Sequence, residues 1–331
     1  MTVLRSLVVL AATLVLTAIL AASWSAVAQA QGQDWPNKPV RILVPYAAGG
    51  SADGQARIVA LQFSEAFGQQ FVVENRTGAG GAIAVETVVR SPADGYTLLW
   101  GVQPQIVILP AINKVSYDAV KDLAPVSVLG TNPFVLVVNG KLPVKSVAEF
   151  VSYAKAQGKP ISYGTSGVGS IAHLAMALFA QRAGLQMTAV HYRGNAPALS
   201  DVIAGHVPAM FATLADALPH AAGSEIRLLG VTGEKRAAQL PQVPAIAEAG
   251  YPGYNVITWN GVMAPAGTPQ PIIGKMAAEL ARAAKDPKFA AKVTAFGVDP
   301  LGNSPADFAK LIAREIPQWK EAVSLAGVKT P

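Results

Sequence analysis

From residue 40 onward, short apolar and β-branched runs alternate with stretches whose apolar positions recur every three or four residues. The runs near 40–45, 70–74, 96–101, 124–130, 133–138, 160–163, 187–191, 207–211, 226–231 and 256–263 predict strands. The segments near 52–67, 82–90, 147–157, 170–183, 196–204 and 214–222 predict helices between them, an α/β alternation that implies mostly parallel sheets. Ser146 with Glu149 forms a capping box and Gly158 is the matching stop. Thr268 and Pro269 read as N-cap and first residue of a helix to about Ala284. Ser304, Pro305 and Asp307 open a last helix, in which Phe308, Leu311, Ile312, Ile316 and Trp319 make a core-facing stripe and Pro317 predicts a kink.

Three of these junctions share one chemistry. Val40–Val44 runs through Pro45 and Gly49-Gly50 into a helix near Ser51; Phe71–Val73 runs through Glu74–Ala82, E-N-R-T-G-A-G-G-A; Ile161–Tyr163 runs through Gly164–Ser170, G-T-S-G-V-G-S. At a strand–glycine–helix junction the first helical N–H groups lack partners and the helix dipole is positive, so a carboxylate is held there without any catalytic side chain. Three such loops predict a common crevice at the carboxyl ends of strands.

Residues 1–30 carry Arg5 as their only charge, an apolar stretch from Leu7 to Ala22, and Ala28 and Ala30 around Gln29, which predicts a secretory signal peptide cleaved after Ala30. The chain has no cysteine, which excludes a lipobox, disulfides and thiolate metal sites. Export without cysteine fits a soluble periplasmic protein. The roughly 300 residues that remain exceed what one core usually supports, so two domains are expected. Two extended stretches, Leu123–Val138 and Tyr254–Pro265, are placed to carry the chain out of the first domain and back, which divides it into 31–130 and 257–331 for one lobe and 131–256 for the other. The net charge of +6 is scattered, with no basic run or aromatic interleaving, so nucleic acid is not expected as a partner.

Catalytic constellations are poor. His173, His191, His206 and His220 show no ligand spacing, so neither a metal nor another cofactor is expected, and His173 reads as a locally bonded helix-start residue. Gly164–Val168 fails as a nucleophile elbow because Val168 stands where glycine is required, and Gly78–Ile83 fails as a dinucleotide fingerprint at Ile83. Binding without turnover is the expectation. Ser51, Thr165, Ser166 and Ser170 offer hydroxyls at helix starts, as caps or ligand contacts. Asp53 serves the helix dipole or a ligand, and Arg193 is either a bidentate carboxylate clamp or a solvated loop charge.

From Trp35 to near Gly327 the motifs W-P-N-K-P-V-R-I-L-V-P-Y-A-A-G-G-S-A-D, V-E-N-R-T-G-A-G-G, A-D-G-Y-T-L-L, Y-D-A-V-K-D-L-A-P-V, Y-G-T-S-G-V-G-S, Y-R-G-N-A-P-A-L, V-P-A-I-A-E-A-G and A-P-A-G-T-P resemble, in order, the solute-binding proteins of tripartite tricarboxylate transporters, the Bug family. The resemblance implies an α/β, two-lobed periplasmic binding protein of type II, non-enzymatic and monomeric, that hands a small organic carboxylate to integral-membrane permease subunits. A sensor presenting the bound state to a signalling partner and, less favoured, an enzyme using Ser166 or Ser170 are the alternatives. Carried over by motif, the ligand contacts are Tyr46, Ala47, Gly49, Gly50 and Ser51, with Asp53 beside them, and Gly78, Ala79, Gly80 and Gly81 in one lobe. The other lobe gives Thr165, Ser166, Gly169, Ser170, Arg193, Gly194 and Asn195. Ala177, Pro208 and Ala212 stand where many members carry acids, leaving Asp216 as the acidic candidate, and Ile106–Leu109 is a more apolar wall than is common. These departures imply a ligand with an apolar or aromatic middle rather than an amino acid.

Overall fold

The computed structural model describes residues 35–192 and 194–328. The signal peptide expected at 1–30, and Arg193, lie outside the described residues. Strand β1 (Val40–Val44) pairs in parallel with β2 (Phe71–Asn75) and β3 (Thr97–Val102), with Val40 opposite Phe71 and Arg41 opposite Thr97. Helix α1 (Ser51–Phe67) joins β1 to β2, and α2 (Ala82–Val89) joins β2 to β3. A π-helical turn (Pro104–Ile108) and the short α3 (Leu109–Ile112) then lead to β4.

Strand β4 spans Leu123–Asn139, one strand where two were expected. Up to Pro133 it pairs antiparallel with β9 (Ile257–Pro265), and β9 in turn pairs antiparallel with β3. From Phe134 onward it pairs antiparallel with β7 (Ala209–Thr213) and β8 (Ile226–Val231). Gly130 does not break the strand because a Cβ there would lie 2.4 Å from the Asp299 carbonyl: the glycine admits the bridge to β10 (Asp299–Pro300). On the far side β7 pairs in parallel with β5 (Ile161–Thr165), and β5 with β6 (Met187–His191). The sheets are therefore mixed rather than mostly parallel. The two strands that cross between lobes run against the βαβ strands beside them.

Helices α4 (Val147–Ala156), α5 (Ile171–Ala183), α6 (Asn195–Ala204) and the short α7 (Leu214–Ala217) flank the second lobe. Ser146 Oγ accepts the Glu149 N–H at 3.1 Å, while the Glu149 carboxylate reaches back one residue further, to the Lys145 N–H. Thr268 is not a cap: its buried hydroxyl donates to the Pro265 carbonyl, and Pro269 precedes α8 (Gln270–Ala283). The short α9 (Pro287–Thr294), opened by Asp286, was not anticipated. Both pack on the first lobe, where Ile272, Met276, Leu280 and Phe289 meet Trp35, Val59 and Phe63.

The last helix, α10 (Pro305–Leu325), is capped as expected by Ser304, whose Oγ accepts the Asp307 N–H. It stays one helix through Pro317, which lies on its exposed side. Phe308, Ile312 and Trp319 are buried, and Leu311 and Ile316 pack on the same cluster. That cluster joins Leu43, Val85 and Ile106 of the first lobe to Leu136, Phe179 and Phe211 of the second, so α10 straddles the crossing strands.

Beneath α10 lies a buried carboxyl. Glu315 Oε2 accepts from Gln103 Nε2 at 2.7 Å, from Trp259 Nε1 at 2.9 Å and from Trp319 Nε1 at 3.4 Å, tying β3, β9 and α10 together. Burial pushes its pKa up, against the hydrogen bonds that lower it. Glu315→Ala leaves two buried indole donors unpaired, each costing about 1–3 kcal/mol, and takes one of the two partners of Gln103 Nε2, which keeps the Ile257 carbonyl; it is expected to lower unfolding stability by about 3 kcal/mol in denaturant titration. Because the folded pKa is raised, the carboxyl's contribution is largest below its unfolded pKa and falls as pH rises through the folded one. The stability gap between wild type and Glu315→Gln should therefore shift against wild type from acid toward neutral pH.

Candidate functional site

The loop after β1 is exposed from Tyr46 to Ser51, and Gly50 supplies no side-chain cap to α1. The N–H groups of Ser51, Ala52 and Asp53 therefore have no intrahelical acceptor. Ser51 Oγ accepts instead from Gln55 Nε2, whose Oε1 accepts from Asn260 on β9. Asp53 is buried and shapes the loop: its carboxylate accepts from the Gly49 N–H, Arg57 Nε and Asn75 Nδ2, each at 2.9 Å. Asn75 also donates to the Tyr46 carbonyl, so both ends of the loop are tied to β2. The Arg57 hydrogen bond, opposed by burial and helped by Gly49 and Asn75, holds the Asp53 pKa down at about 2.

The second loop has an unusual backbone. Gly78, Ala79, Gly80 and Gly81 all have positive φ, at 120°, 47°, 65° and 98°. Ala79 alone has a Cβ to strain, at about 1–2 kcal/mol. Gly81 precedes α2 without a side-chain cap; its own N–H donates to the Gly78 carbonyl and that of Ala82 to the Ala79 carbonyl, which leaves the N–H groups of Ile83 and Ala84 without an intrahelical acceptor. Gln105, on the π-helical turn, joins the two loops: its Nε2 donates to Tyr46 Oη at 2.9 Å and to the Gly80 carbonyl at 2.8 Å. Tyr117 Oη holds the Gln105 carbonyl from behind. A Cβ on Gly81 would lie 2.6 Å from Gln105 Cγ, so glycine is required there. Although the Tyr46 side chain is exposed as a whole, desolvation of its hydroxyl beside Gln105 raises its pKa, against the Gln105 hydrogen bond, and keeps it neutral.

In the second lobe Thr165 ends β5 fully buried, its Oγ1 accepting the Gly167 N–H and bonding His191 Nδ1 at 2.8 Å. Ser170 caps α5 by accepting the His173 N–H. Ser166 and Ser170 hydrogen-bond no imidazole or carboxylate side chain among the described residues. The Tyr192 N–H donates to the Thr165 carbonyl, which sets the following loop beside this one, with Gly194 before α6 and Asn195 its first residue. Asp216 is engaged by the α7 cap: Thr213 accepts its N–H and donates to its carboxylate at 2.7 Å.

Two approaches bring the lobes together at these loops. Leu109 lies beside Gly80 and Ile112, three residues on, beside Gly169; Gly297 lies beside Ala215 at the start of α7. All four residues of the expected apolar wall, Ile106–Leu109, are buried in the core; Leu109, at its edge, and the half-buried Ile112 are the ones that approach the glycine loops. Of the three positions expected to lack acids, Ala212 lies in the core, Pro208 precedes the end of β7 far from these loops, and Ala177 lines a side cavity of about 460 Å³. A larger cavity, about 620 Å³, lies at the back of the crossing strands between Gly233–Arg236 and α10. No group of three or more His, Cys, Asp or Glu side chains is placed to hold a metal among the described residues. Gln105 was missed by motif reading, since its role appears only when residues far apart in sequence meet.

Residues 55–328 match the model of the tripartite tricarboxylate transporter family receptor. Among solved structures, R. palustris Rpa4515 with adipate is 38% identical, covering 88% of this chain and 98% of that one, with a TM-score of 0.72. MatC from Rhodopseudomonas palustris with bound malate is 30% identical over 87% of this chain and 100% of that one, TM-score 0.67. A ligand-free TctC solute-binding protein from Polaromonas is 25% identical over 88% and 99%, TM-score 0.81. The fold is that of the periplasmic binding proteins in this group.

Asp53→Asn removes the charge that draws Gly49, Arg57 and Asn75 together, and is expected to lower stability by about 2 kcal/mol at neutral pH. A carboxyl with a depressed folded pKa stabilises above its unfolded pKa, about 4, and loses that contribution as pH falls toward 2. Thermal melts of wild type and Asp53→Asn should accordingly differ at pH 7 and converge in acid.

Proposed function

We propose, on the premise that this chain belongs to the tripartite tricarboxylate transporter receptor family, that it captures a small organic carboxylate between its lobes and delivers it to the permease subunits of such a transporter. Members of this family are non-enzymatic periplasmic solute receptors. The observation that carries the ligand reading is the pair of uncapped helix starts at Gly50 and Gly81, held side by side by Gln105. Two fixed sets of backbone N–H groups suit one carboxylate. Thr165–Ser170 and Gly194–Asn195 close on the ligand from the other lobe, and Arg193, by its sequence position, takes a second carboxylate.

Leu109 and Ile112 lie between the loops of the two lobes and favour an apolar ligand body. The ligand is a mono- or dicarboxylate with an apolar or aromatic middle; adipate in one relative is of that kind and malate in another is shorter and more polar. The extra carboxylates of citrate would be desolvated without enough partners. The lobe division at 31–130 with 257–331 and at 131–256 is proposed with it, supported by the change of β4 partners at Pro133 and Phe134. Export through cleavage after Ala30 is part of the same reading. The higher TM-score to the ligand-free relative than to those with adipate and malate, despite lower identity, supports an open cleft that closes on the ligand.

Calorimetric titration with adipate, terephthalate, benzoate, aspartate and citrate tests the reading. Adipate or terephthalate is expected to bind tightest. Arg193→Ala should weaken either dicarboxylate by about 1.5–3 kcal/mol, roughly ten- to a hundred-fold, and leave benzoate nearly unchanged. Tightest binding of aspartate or citrate would overturn the ligand class, and an unchanged dicarboxylate affinity would remove Arg193 from the site.

A further inference from the structure

The glycine loop of the second lobe is held at both ends by imidazoles that the binding site itself does not use. His173 Nδ1 accepts the Gly169 N–H at 3.1 Å, and the His173 backbone N–H donates to Ser170 Oγ at 3.3 Å. At the other end His191 Nδ1 bonds Thr165 Oγ1 at 2.8 Å. The two rings meet edge to face, with centroids 4.8 Å apart and planes at 77°. Between them the backbone turns through Gly167 and Gly169 at φ of 135° and 72°, conformations that leave the loop little intrinsic preference for this shape.

An imidazole that accepts at Nδ1 carries its proton on Nε2 and is neutral; protonation would set a second N–H against the Gly169 N–H. We propose that His173 and His191 form a latch that holds the second-lobe loop in its ligand-competent shape, and that the latch releases when His173 is protonated at Nδ1. The inference rests on the loop being part of the carboxylate site.

The surroundings of His173 fit such a latch. Its side chain is buried, and among the described residues the titratable groups packed against it are His191 from β6 and Tyr163 from β5, whose ring lies 6.3 Å away. Burial first, and the neighbouring His191 second, hold its pKa down at about 4, while burial keeps the Tyr163 hydroxyl neutral. Gln181 and Gln186, which share the side cavity of about 460 Å³ with His173, carry no charge, and that cavity gives a proton access to the ring. Since the folded pKa is depressed, the latch is intact from neutral pH downward until pH approaches about 4.

His173→Gln keeps an acceptor that does not titrate, and His173→Leu keeps the bulk without one. Adipate binding by calorimetry should be similar in wild type and His173→Gln at neutral pH, and weakened in His173→Leu at every pH. As pH falls, wild type should lose affinity relative to His173→Gln by about two-fold near pH 4 and about ten-fold near pH 3, the competent fraction setting the apparent affinity. Protonation of adipate itself cancels in that ratio. Nitrogen-15 spectra of the imidazoles need no ligand and separate this inference from the ligand reading. The His173 Nε2–H tautomer, titrating near pH 4, with Gly169 amide exchange faster in His173→Leu than in wild type, supports the latch whether or not adipate binds. An Nδ1–H tautomer, or a constant affinity ratio between wild type and His173→Gln down to pH 3, overturns it.

Discussion

A carboxylate can be held by backbone amides only if those amides stay unpaired and stay in place, two demands that oppose each other. Free N–H groups arise where a helix begins without a cap, and such places are the least constrained parts of a chain. Here the constraint comes from side chains that never need to touch a ligand. Asp53 bonds the Gly49 N–H, Arg57 and Asn75, and Gln105 bonds both Tyr46 and Gly80. Preorganisation of this kind is what turns loose dipoles into a binding site, because the ordering entropy is spent in folding rather than in binding.

The same logic extends to the rest of the molecule. The π-helical turn that presents Gln105 sits on the core that α10 shares between lobes, and Leu109 and Ile112, just beyond it, approach Gly80 and Gly169. Gln103, two residues before Gln105, bonds the buried Glu315, which also bonds Trp259 on the crossing strand β9. One short segment thus connects the first-lobe loops, the second-lobe loop and the crossing strands.

Much of the fold was legible because it is written locally. The apolar runs of β1, β3 and β8 and the glycines after β1, β2 and β5 carry their own signals. What was not legible depends on distance in sequence. Gly130 and Pro133 looked like a break, yet β4 is continuous because β10 and β9 return to it from far along the chain. Ala177 and Ala212 looked like missing ligand partners, yet they face a side cavity and the core. Gln105, the His173–His191 pair and Glu315 carry no motif, since an amide, an imidazole or a buried carboxyl acquires its role from partners that only the tertiary structure supplies.

The central claim is that the two uncapped loops of the first lobe, held by Asp53 and Gln105, are where a carboxylate binds. Amide proton shifts in a titration with adipate test it most directly. The account predicts that the Ser51, Ala52 and Gly78–Gly80 amides move furthest downfield, as N–H groups do on meeting an anion, with Gln105→Ala reducing both shift and affinity. Largest shifts instead at Gly233–Arg236, lining the cavity behind the crossing strands, with the loop amides unmoved, would contradict it.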